Sequence, residues 1–136
     1  MKNTYKFNEP PFGLHDMNLN KIKVDGNDLC LMTQSGMVKT SPPYSQIDGY
    51  IEVKNIDWDF CYVYLLDGNG NIGPFSGKKM YLKDFIGSYK VFGFSIYDIT
   101  YGYNRLKLDG YLTANKCFYE CFMEIYHAGD IIFVSE

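Results

Sequence analysis

Short runs rich in Val, Ile, Tyr and Phe recur along the whole chain, each bounded by Gly, Asn, Asp or Pro. Side chains in these runs alternate in character with the period of two that a half-buried strand requires, and the clusters between them carry turn chemistry. Eight strands are predicted, over residues 18–24, 28–32, 49–56, 58–67, 91–99, 104–112, 116–126 and 130–135. The first two flank Asp25-Gly26-Asn27, where an Asp-Gly pair can take the positive φ angles of a tight hairpin. Helical spacing is met once, by Leu82, Phe85, Ile86 and Tyr89 at i, i+3, i+4 and i+7. This predicts a short helix near residues 79–86 that Gly87 ends, after the fourth or fifth strand. Lys78 and Lys79 at its start oppose the helix dipole, so packing has to hold it. The expected fold is all-β: one domain over residues 1–136, built as a single antiparallel β-sandwich or flattened barrel of about eight strands.

The stretch 33–48 has no clear periodicity and contains Pro42-Pro43, which marks a loop and makes its Tyr44 a candidate contact residue. A seven-residue echo links Asn20-Lys21-Ile22-Lys23-Val24-Asp25-Gly26 with Asn104-Arg105-Leu106-Lys107-Leu108-Asp109-Gly110. Both copies alternate a cationic side chain with an aliphatic one, as edge-compatible strands entering a hairpin do, so the echo reads as shared structure.

A chain of 136 residues buries enough surface to stand without disulfide or metal staples. Thirteen basic against sixteen acidic side chains leave a charge of −3, which offers no cationic surface to nucleic acid or to an anionic membrane. The longest apolar stretch, 60–66, falls far short of the ~20 residues of a spanning helix. Polar residues and Pro10-Pro11 stand where a signal peptide carries its apolar run, so a cytoplasmic location is expected. Cys30, Cys61, Cys117 and Cys121 are too few and too irregular for a disulfide framework, and reduced, buried thiols are expected. Thirteen Tyr and ten Phe are an excess that suits a recognition surface, although an AT-rich coding sequence, which also explains many Lys against the single Arg105, accounts for much of it.

No catalytic or cofactor motif survives inspection. Gly68, Gly70 and Gly73 match a dinucleotide fingerprint, but Pro74 to Gly77 stand where the phosphate-binding helix has to begin. Asp67, Asn69 and Asn71 start like a calcium loop, which then fails at Ile72 and Lys78, leaving a hairpin turn as the better reading. Cys117, Cys121 and His127 share one face of a strand, yet residues four apart lie ~13 Å from each other, so the three are read as core rather than as metal ligands. His15-Asp16 is read as a turn into the first strand.

The opposite face of that strand alternates Phe118, Glu120, Phe122, Glu124 and Tyr126. Aromatics interleaved with carboxylates can bind sugars, and a suitably spaced pair of carboxylates can hydrolyse a glycoside; cross-strand pairing of Glu120 and Glu124 with Lys107, Arg105 or Lys54 is the expected structural use. The leading functional expectation is a non-enzymatic domain that recognises another protein, of inhibitor or immunity type, through Tyr44, Tyr101 and Tyr103. The alternatives are a small-molecule or carbohydrate-binding domain using Glu120, Phe122, Glu124 and Tyr126, and a homo-oligomer that buries the same face. No cofactor, metal, nucleic acid or membrane is expected in any of them.

Overall fold

The computed structural model of the chain describes residues 1–5, 10–14, 17–34, 36–67 and 77–135. Its elements run β1 (Lys2–Thr4), β2 (Phe12–Gly13), β3 (Asn18–Asp25), β4 (Asp28–Thr33), β5 (Met37–Lys39), β6 (Gln46–Ile47) and β7 (Gly49–Val53). After a 3-10 turn at Trp58–Phe60 come β8 (Tyr62–Asp67), β9 (Gly77–Tyr81), α1 (Leu82–Ser88), β10 (Gly93–Gly102), β11 (Arg105–Ala114), β12 (Cys117–Tyr126) and β13 (Ile131–Ser135). The protein is all-β, and every strand pairing is antiparallel. No helix among the described residues is long and apolar enough to cross a membrane.

Ten strands form one sheet in the order β1-β13-β7-β4-β3-β10-β11-β12-β8-β9, and β2-β5-β6 form a small second one. β3 and β10 join through only two registered pairs, Leu19 with Phe94 and Asn18 with Ser95, so the large sheet divides there into two five-stranded halves. The halves turn toward each other. Tyr5, just beyond β1, stacks on Tyr101 of β10 with ring centroids 4.4 Å apart, whereas five strand spacings in a flat sheet would separate them by about 24 Å. One core fills the space between: Leu31, Ile51 and Phe133 from the first half meet Phe94, Leu108 and Met123 from the second, with Leu82 and Phe85 of α1, all fully buried. Each such side chain contributes roughly 1.5–3 kcal/mol of apolar burial. The sheet is not closed, so the barrel alternative is not realised. Its exposed edge β9 carries Lys78 and Lys79, and charges there oppose pairing with another chain.

All eight expected strands are present, with further short ones around them. Trp58 opens a 3-10 turn and not the strand expected from 58. The helix begins at Leu82, later than expected, because Lys78 and Lys79 belong to β9, and it continues through Gly87 to Ser88. The stretch 33–48 is not wholly loop, since β5 and β6 lie in it and pair with each other. The Asp25-Gly26-Asn27 hairpin forms as expected, with Asp25 opposite Asp28 and Gly26 at φ 62°. The echo does not behave as two hairpin entries: Asp109 and Gly110 lie inside β11, and both β3 and β11 are interior strands. Gly110 is needed for a different reason. The register slips between Ile96 and Asp98, and a Cβ at residue 110 would collide with the Ser95 carbonyl and come within 2.9 Å of Phe94 Cε1. His15-Asp16 and the stretch Gly68 to Ser76, both read as turns, lie outside the described residues.

Candidate functional site

Cross-strand register assembles an outward face on the second half of the sheet. Asp109, Phe122, Tyr64 and Lys79 stand directly opposite one another across β11, β12, β8 and β9. Beside this row runs another of Lys107, Glu124, Tyr62 and Tyr81, and on the other side Tyr111 faces Glu120. Tyr97, at the bulge in β10, packs on Tyr111 with centroids 5.2 Å apart, and Tyr111 stacks on Phe118 at 5.3 Å. Three of the expected residues, Glu120, Phe122 and Glu124, thus lie half-buried on one surface, and Tyr126 continues it on the same side of β12.

Lysines already lie across these rings. Lys79 Nζ sits 4.1 Å from the Tyr62 centroid, and Lys107 Nζ is 4.9 Å from the Phe122 centroid and 3.5 Å from Asp109 Oδ2. The pairing expected of the glutamates is not made: Lys107 faces Glu124 but bonds Asp109, and Lys54 holds Glu52 and Asp28 at 3.2 and 3.3 Å. Glu120 and Glu124 have no ion pair among the described residues, and strand spacing separates their Cα atoms by about 13 Å. Asp109 is 9% exposed, and its Oδ1 is buried without a hydrogen-bond partner. Burial holds its carboxyl above the usual range although Lys107 opposes the shift. Burial, together with the Glu120 and Asp109 carboxylates, pushes the Tyr97 hydroxyl up to about 12.

A second arrangement lies at the end of the sheet where the chain crosses between halves. Residues 54–57 and 126–130 are stapled by backbone bonds, among them Asp57 N–H to Tyr126 O at 2.9 Å, Ala128 N–H to Asn55 O at 2.8 Å and Lys54 N–H to Asp130 O at 2.9 Å. Cys61 reinforces them, its thiol donating to Asp57 O and its sulfur accepting from Tyr126 N–H, and burial pushes that thiol up to about 11. The Tyr103–Asn104 turn is tied to the same place by His127 N–H bonding Asn104 O at 3.0 Å. A cleft of about 390 Å³ opens here between Asp57, Phe60, Tyr103, Asn104, Tyr126 and His127. A second, of about 280 Å³, lies behind the turn beside Tyr101, Gly129 and Asp130 and shares Tyr103, Asn104 and His127 as its wall.

His127 is 8% exposed. Its Nδ1 lies 2.7 Å from the Gly129 carbonyl, which can only accept, so Nδ1 carries a hydrogen and Nε2 is the ring nitrogen left for another partner. Nε2 and the Tyr101 hydroxyl are both buried without partners, and such a group costs about 1–3 kcal/mol.

Tyr101 and Tyr103 therefore meet at this end, while Tyr44 belongs to the β5–β6 connection of the small sheet and borders neither cleft. Cys121 and His127 are buried as expected on their strand face, but Cys117 is exposed at the β11–β12 turn, and Cys30 is only half-buried. Among the described residues no group of three His, Cys, Asp or Glu is placed to hold a metal. Sequence reading missed Tyr62 and Tyr64, whose shared parity in 58–67 was a usable signal, and Asp57, Phe60 and Asn104, which only the crossovers bring together. Comparison with protein-family models, curated proteins and solved structures finds no match to the chain.

Proposed function

We propose that the chain is a non-enzymatic, cytoplasmic protein-recognition domain whose docking surface is the outward face of β10, β11, β12, β8 and β9. The observation that carries this reading is the array of Tyr62, Tyr64, Tyr97, Tyr111, Phe118 and Phe122 held side by side on a rigid sheet. Rings of this kind give large contact area at little entropic cost, and they dominate the energetics of protein interfaces. Charge narrows the partner. Asp98, Glu120 and Glu124 lie along this face without ion pairs among the described residues, and the rings next to them accept cations, as Lys79 and Lys107 do already. The partner that fits is a protein surface presenting Lys or Arg among apolar side chains. The four free cysteines suit the reducing compartment this reading assumes.

The test is capture of a stoichiometric partner, cross-linking through Lys79 and Lys107, and affinity measurement with Glu120→Lys and Phe122→Ala. Cross-links at both lysines and at least about tenfold weaker binding by each variant are expected, with affinity falling as salt rises. Affinity unchanged in both variants removes this face as the docking surface.

A further inference from the structure

From the end of the sheet, where Tyr126 borders the face proposed for protein docking, we infer a binding site for a neutral hydroxylated ring of monosaccharide or disaccharide size. The larger cleft, about 390 Å³, falls within the ~300–1,000 Å³ of small-ligand sites. Its walls are mainly apolar, with a few polar groups among them, the mixture that a sugar presents. Phe60, Tyr126 and Tyr103 offer rings against which the C–H face of a pyranose packs, and Phe60 and Tyr103 are 57% and 89% exposed with nothing covering them.

The polar groups complete the match. Asp57 accepts, the Asn104 amide donates and accepts, and His127, which borders both clefts, has a buried Nε2 without a partner. Hydroxyl groups supply donors and acceptors together, so one polyol answers all three. An anion is disfavoured by Asp57 in the larger cleft and Asp130 in the smaller. The buried Tyr101 hydroxyl, also without a partner, lies beside the smaller cleft, which gives a second sugar unit a polar group to meet. Pre-organisation comes from the stapled crossovers, which fix Asp57 and His127 by backbone bonds, and from the Nδ1 contact to Gly129 that orients the ring. Tyr103 is the movable part, because its exposed ring can swing on the turn without disturbing the core.

The experiment is amide and imidazole NMR of the whole chain titrated with glucose, galactose, mannose and N-acetylglucosamine to about 10 mM, tenfold above the ~1 mM dissociation constant of a weak small-ligand complex. Phenol is the control for a merely apolar dent. At least one sugar should shift the Asn104, His127 and Ala128 amides saturably and move the His127 Nε2 resonance. Tyr103→Ala, at an exposed position, and Asn104→Gly, which keeps the φ of 52° accessible, should each weaken that binding at least about fivefold. Tyr64→Ala, on the docking face, should leave it unchanged, so failure of one proposal is read separately from failure of the other. Silence of all four sugars, response to phenol alone, an unmoved Nε2, or binding that survives both variants overturns the site.

Discussion

Asp109 shows how one side chain is shaped by its neighbours on a sheet face. Phe122 opposite it and Lys107 beside it shut out water, so burial disfavours its charge more strongly than the lysine favours it. A carboxyl whose native pKa lies above its unfolded value of 3.8 holds its proton more tightly when folded. Its contribution to stability is therefore full below 3.8 and is lost as pH rises through the native value. Replacing Asp109 by Asn should remove this dependence. Urea unfolding from about pH 4 to neutrality should show a flatter stability profile for the variant than for the parent, and parallel profiles would refute the assignment.

At the scale of elements, the hairpins are where local chemistry and fold agree most closely. Asn115 and Lys116 join β11 to β12 with φ of 51° and 63°, both in the left-handed region that a two-residue hairpin of type I′ demands. Asn tolerates this, whereas Lys at the second position pays a steric cost of about 1 kcal/mol that Gly avoids. Lys116→Gly should thus stabilise the protein by about that amount in urea titrations; a destabilised variant would contradict the turn geometry. The same comparison shows what was legible in the sequence. Alternation exposed all eight long strands and the face of Glu120, Phe122 and Glu124, because parity along one strand needs no knowledge of its neighbours. The start of α1 was misplaced because Lys78 and Lys79 are equally at home on an exposed strand edge, and Asp109-Gly110 mimicked a turn that register converts into a close contact with β10. The end clefts were illegible, since they combine Asp57, Tyr103 and His127, which only the crossovers bring together.

The whole molecule depends on a narrow joint. β3 and β10 share two registered pairs and the bond from Ile96 N–H to Met17 O at 2.9 Å, yet across this joint the two halves must stay aligned for one core to form. Leu19 and Phe94, paired there and both 0% exposed, carry that alignment through packing. Phe94→Ala should cost about 3–5 kcal/mol, read as a lowered urea midpoint, while a loss below ~1 kcal/mol would mean that the halves are held elsewhere. Strand order has a consequence for synthesis. β13 lies between β1 and β7, each of which it pairs with along its length. During translation β7 waits with one edge bare and β1 without any strand partner until residues 131–135 leave the ribosome, so β1 is secured long after it is made, and this half of the sheet is most open to chaperones and to misassociation just before that moment.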